Sequence, residues 1–162
     1  MSKQETLQKT NAIRALDAAN VPYEFLHYDP NEAVSGVEVA NYLHQPLEQV
    51  FKTLVTVGKS GEHYVFLVPS AEELDLKKAA NAVGEKAISM LKSKELLPLT
   101  GYIHGGCSPL GMKKFFTTTI DETAQLFDEI MFSGGKLGYQ LKMKPEDLAK
   151  MIDFKYADIT VS

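Results

Sequence analysis

At 162 residues the chain suits one domain, long enough to bury roughly two thirds of its unfolded surface. Apolar residues make up 44% and charged residues 23%, ordinary for a globular fold, and no apolar run reaches the length of a membrane span. The net charge of −4 and a basic complement of 17 residues with Arg14 its one arginine argue against a general nucleic-acid coat protein or a guanine-reading DNA binder. The N-terminal residues lack the apolar stretch of a signal peptide, so the cytoplasm is the expected location. One cysteine forms no internal disulfide, and no Cys/His cluster has metal spacing.

In chain order, Ser2 and Glu5 form a capping-box pattern before Leu7, Ile13 and Leu16, and Asn20-Val21-Pro22 ends that helix. Residues 23–28 read as a strand. Ser35 and Glu38 form a second capping box, with Val34 and Val39 at staple positions and Val37, Ala40 and Leu43 as the buried stripe. Strands at 51–57 and 63–68 flank Gly58-Lys59-Ser60-Gly61, which predicts a hairpin. Asp75 and Gly84 bracket a helix over 76–83. Short strands are expected at 87–90, 101–104, 115–120, 129–132 and 138–143. Pro145 opens a last helix and 156–161 is a possible final strand. The pattern predicts a mixed α/β (α+β) fold with helices around a mixed sheet, in one domain over 1–162.

Two diglycine segments stand out, Gly105-Gly106-Cys107-Ser108-Pro109-Leu110-Gly111 and Ser133-Gly134-Gly135-Lys136-Leu137-Gly138. Glycine is expensive to order, so such pairs suggest positive φ or an N–H brought close to a ligand; a plain turn at Ser108-Pro109 is the competing reading. The second segment is no nucleotide-binding P-loop, because Ile130 and Leu137 replace the required glycine and hydroxyl residue.

Lys52 sits in an apolar strand, either snorkelling to water or aimed into a pocket. A fixed ammonium there, holding a phosphate or polarised carbonyl, demands less of the fold than a neutral amine acting as a base. Cys107 with His104 suggests a thiol nucleophile, but nothing in the spacing activates it, and an ordinary loop thiol is the better reading. His27, His44 and His63 fall on separate elements and do not read as metal ligands. Lys113-Lys114 is a solvated pair or a polyanion contact.

Several segments together resemble the YbaK/EbsC family of free-standing aminoacyl-tRNA deacylases, related to the editing insertion of bacterial prolyl-tRNA synthetases. They are Gln49-Val50-Phe51-Lys52-Thr53-Leu54, Leu74-Asp75-Leu76-Lys77-Lys78, Gly101-Tyr102 with Gly105 to Lys114, Thr119-Ile120-Asp121, Ser133-Gly134-Gly135-Lys136 and Ala157-Asp158-Ile159. The resemblance implies a strongly curved mixed sheet closing partly into a barrel. It implies removal of cysteine wrongly attached to proline tRNA, with the substrate thiol attacking its own ester. No cofactor or metal is implied. The partners implied are the 3′ end of aminoacylated tRNA and prolyl-tRNA synthetase, with neither DNA nor membrane.

By the same resemblance the catalytic set is Lys52, Gly105 and Ser133. The substrate-binding set is Tyr28, Ser35, Thr53, Gly106, Ser108, Gly134 and Gln140. The family often has phenylalanine at the position of Ser35 and aspartate at that of Gln140, departures that touch amino-acid selectivity. A deacylase for another small amino acid such as alanine, and a non-catalytic aminoacyl- or nucleotide-binding regulator, are the alternatives.

Overall fold

The computed structural model describes residues 8–161, so the capping box at Ser2 and Glu5 lies outside the described residues. Helix α1 spans Asn11–Ala19 with Thr10 as its N-cap, whose Oγ1 accepts from Ile13 N at 3.2 Å. The same hydroxyl donates to Gly134 O, which ties the start of α1 to the second diglycine segment. Ala12, Ile13 and Leu16 of α1 are buried.

Strand β1 (Glu24–His27) is followed by helix α2 (Gly36–Leu43), whose capping box is formed by Ser35 and Glu38 as the sequence predicts. The buried face of α2 differs from the expected one. Val39 and Ala40 are inside, whereas Val37 is 44% exposed and Val34, at 71%, makes no staple. A 3-10 turn at Leu47–Gln49 leads into β2 (Phe51–Gly58), which pairs antiparallel with β3 (His63–Pro69) in the expected hairpin. Helix α3 (Leu76–Val83) has Asp75 as its N-cap and ends at Gly84, φ +76°. Strand β4 (Ile88–Met90) pairs with the far end of β2.

Residues 93–104 depart from the expectation. Ser93–Thr100 is a helix, α4, despite Pro98 within it, and 101–104 is irregular rather than a strand. Packing overrides propensity here: Leu96 and Thr100 are buried, and Thr100 Oγ1 donates to Leu96 O and accepts from Tyr102 N. Gly101, φ +89°, turns the chain away from the helix. The remaining elements are β5 (Thr117–Asp121), a 3-10 segment (Glu122–Leu126), β6 (Ile130–Ser133), β7 (Tyr139–Met143), α5 (Pro145–Leu148) and β8 (Phe154–Ala157).

The strands form two sheets. One runs β4-β2-β3-β5-β8, with β3-β5 and β5-β8 parallel; the other is antiparallel, in the order β1-β7-β6. An isolated parallel bridge between Val50 and Met131 connects them. The main core includes Phe51, Val55, Val65, Leu67 and Ile120 of the larger sheet with Ile130, Phe132 and Leu141 of the smaller. Phe66, Val68 and Ile88 turn to the opposite face, where α3 covers them with Ala79 and Ala80. Strand β3 is buried on both faces because it is central, which explains its unbroken Val65-Phe66-Leu67-Val68 run. No helix among the described residues is long and apolar enough to cross a membrane.

Candidate active site

A cavity of about 430 Å³ opens along the first half of β2, within the ~300–1,000 Å³ range of small-molecule sites. Lys52, Thr53 and Leu54 form one wall, Tyr28 and Gln140 come from the smaller sheet side, and Gly105 and Ser133 come from the two diglycine segments. Lys52 is the one Lys, Arg, Asp or Glu among the lining residues. Its ammonium has no ion-pair or hydrogen-bond partner among the described residues.

The edge of β2 contributes backbone as well as side chains. Leu91 N donates to Val55 O at 3.1 Å, so Val55 and, by strand alternation, Thr53 turn their backbone groups away from β3. Phe51 then falls in a non-hydrogen-bonded pair with Pro69, as proline's missing N–H requires. Strand β4 covers only Thr56–Gly58. Thr53 thus lies beyond the end of β4, on the stretch of β2 that lines the cavity.

Two side-chain oxygens on this lining, Thr53 Oγ1 and Gln140 Oε1, are buried without a partner. Buried polar atoms are rarely left so. Ser133 Oγ accepts from Gly135 N at 3.1 Å, which fixes the oxygen and leaves the hydroxyl proton to be donated elsewhere.

The remaining expected site residues do not line the cavity. Ser35 spends its side chain accepting from Glu38 N, and its neighbours Val34 and Gly36 line the site instead. Gly106 N donates to Ile103 O at 3.0 Å, so that amide is already engaged. Ser108 is wholly buried, its Oγ accepting from Leu110 N. Gly134 N donates to Tyr139 O at 2.9 Å. Gly105, by contrast, lines the cavity at φ +85°, its N–H without a partner among the described residues.

Cys107 and His104 both line the cavity, yet no hydrogen bond joins them among the described residues. Burial pushes the Cys107 thiol up to about 12, against a weaker opposing pull from Thr100, so it stays protonated near neutrality. No group of three or more His, Cys, Asp or Glu side chains suited to a metal ion occurs among the described residues. Ser70, Ser93, Met90, Leu91 and Leu96 also line the site and were not foreseen. Leu96 and Ser93 belong to the unexpected α4, and Ser70 carries no local motif that would single it out.

The family model for the aminoacyl-tRNA editing domain matches residues 30–151. A protein of Enterococcus faecalis (strain ATCC 700802 / V583), named as a Cys-tRNA(Pro)/Cys-tRNA(Cys) deacylase, EbsC, is 44% identical over 161 residues, covering 99% of this chain and 98% of that one. A proline–tRNA ligase of Thermosipho africanus (strain TCF52B) is 34% identical over 88 residues, which cover 54% of this chain and 15% of the ligase. Among solved structures, one described as a trans-editing enzyme for prolyl-tRNA synthetase superposes with a TM-score of 0.83 at 25% identity, over 96% of this chain and 100% of that one. The chain belongs to the aminoacyl-tRNA editing domain family.

Proposed function

We propose that the protein is an aminoacyl-tRNA deacylase that removes cysteine wrongly attached to tRNA(Pro), acting as one domain over residues 1–162. The observation that carries the reading is the composition of the cavity. Among the described residues it is lined by one lysine, several hydroxyls and the Gly105 N–H, with no carboxylate and no activated protein nucleophile. An aminoacyl ester is already reactive, so orienting it and stabilising the oxyanion is sufficient work for such a site.

In this mechanism the cysteinyl group enters the cavity with its terminal ribose. Gly105 N–H is the backbone donor to the acyl carbonyl, in place of the engaged Gly106 amide. Lys52 supplies positive charge to the ester oxygens as negative charge develops. Thr53 and Gln140 shape the wall, Ser133 Oγ donates to the substrate, and the Tyr28 ring closes one side. The substrate's sulfur bonds to its own carbonyl carbon and the bond to the ribose oxygen breaks. The thiol proton ends on that oxygen, releasing a cyclic thiolactone and intact tRNA.

Packing alone separates cysteine from alanine by only ~1–3 kcal/mol, whereas a required thiol discriminates chemically. We also read the two sheets, joined at Val50–Met131, as halves of one partly closed barrel around this site. Similarity to the ligase supports a role for prolyl-tRNA synthetase in presenting the mischarged tRNA, and so a cytoplasmic setting.

The experiment is incubation of the protein with Cys-, Ser- and Ala-tRNA(Pro), followed by chromatographic identification of the acyl product. Thiolactone from the cysteinyl substrate with survival of the seryl one supports the reading. Equal release of free acid from all three would rule out attack by the substrate thiol.

A further inference from the structure

A second concavity, of about 240 Å³, borders residues next to both diglycine segments. It is lined by Lys9, Arg14 and Lys136 together with Gly101, Tyr102 and Gly135, and no Asp or Glu among the described residues lines it. The chain's one arginine is therefore placed in this groove although the protein as a whole carries −4.

The two sites share their loops. Segment 101–105 gives Gly101 and Tyr102 to the groove and Gly105 to the cavity. Segment 133–136 gives Ser133 to the cavity and Gly135 and Lys136 to the groove. Thr10, which also lines the groove, holds the second segment through its bond to Gly134 O. A polyanion lying in the groove thus leads along those loops to the reacting centre.

We propose that this groove binds the phosphodiester backbone of the tRNA acceptor end, next to the nucleotide whose ester occupies the cavity. The proposal rests on the deacylase reading for its ligand but not for its charge. Arg14 and Lys136 are the principal contacts. Arg14 has only a long 3.4 Å bond to Asn11 Oδ1, and Lys136 lies over the Tyr139 ring with its Nζ 5.5 Å from the centroid. Neither pairs with a carboxylate among the described residues. Lys9 contributes less, because its Nζ is paired with Asp17 at 2.6 Å. A planar guanidinium forking onto a phosphate, with an ammonium beside it, is the chemistry such a groove supplies.

The test measures two quantities for wild type, Arg14→Gln and Lys136→Gln, with thermal melts to confirm folding. One is binding of uncharged tRNA(Pro) across a salt series. The other is cleavage of Cys-tRNA(Pro) compared with a cysteinyl ester of adenosine, which has no phosphodiester. Each variant should bind tRNA on the order of threefold to tenfold more weakly and lower the salt slope by about 0.7–0.9. Cleavage of the adenosine ester should be unchanged. Wild-type binding and slope in both variants would overturn the groove even if deacylation is confirmed. Equal loss on tRNA and adenosine esters would also overturn it, by showing that the substitutions disturb the loops. An effect seen only with prolyl-tRNA synthetase present would do the same, assigning the groove to a protein surface. Impaired tRNA binding without any cleavage by wild type would sustain the groove and remove the deacylase reading.

Discussion

Gly106 lies against the backbone of Lys136: a methyl group on Gly106 would come within 3.2 Å of Lys136 Cα and 3.3 Å of Leu137 N. The first diglycine segment is thus packed on the second, and the function of this glycine is close approach between loops rather than donation to a ligand. Backbone cannot yield as a flexible side chain can. Gly106→Ala should separate the two segments, lower stability by about 1–3 kcal/mol and weaken deacylation through Gly105 and Ser133 together. Denaturant unfolding with a parallel rate measurement checks this. A fully stable, fully active variant would contradict the contact.

Gly111 makes a closer approach still, at φ +73°, where an added methyl group would meet Asn11 C at 2.6 Å and Ala12 N at 2.7 Å. Both the left-handed backbone and the contact with α1 oppose a side chain. Gly111→Ala should lose more stability than Gly106→Ala, with the left-handed conformation alone contributing roughly 1–2 kcal/mol. Comparative thermal melts decide the order.

The buried thiol gives a pH prediction. Cys107 is raised by burial from an ordinary value of 9.0 to about 12 in the folded protein. The unfolded chain therefore loses this proton first as pH rises, and the native form is disfavoured progressively between about pH 9 and 12. Cys107→Ala should flatten that alkaline decline while keeping deacylation near pH 7, since no thiolate is being used. Urea midpoints across the alkaline range test the first part. Abolished turnover in a folded Cys107→Ala protein would make this thiol a participant after all.

Local sequence signals decide the structure where one short segment contains the whole cause. The Ser35–Glu38 capping box, the Gly58–Gly61 hairpin and the Asp75–Gly84 brackets each need only neighbouring residues. Helix α4 was hidden because Pro98 masks its periodicity, and its stability comes from Leu96 packing into a core assembled from distant strands. The division into two sheets was equally invisible, since β1 pairs with β7 across more than a hundred residues of chain. Within the site, Lys52 was flagged by its unease in an apolar strand, and the cavity brings it together with Tyr28, Thr53, Gly105, Ser133 and Gln140. The glycines misled in part: Gly106 and Gly134 serve packing and turns, while Gly105 alone of the four paired glycines lines the cavity.

The account turns on Lys52, whose ammonium has no partner among the described residues and which lines the same cavity as Gly105 and Ser133. Single-turnover cleavage of Cys-tRNA(Pro) by Lys52→Ala, alongside its thermal melt, tests it most directly. A rate reduced by about 10²–10³-fold in a protein that melts with the wild type is the predicted result. Wild-type turnover in that folded variant would contradict the account.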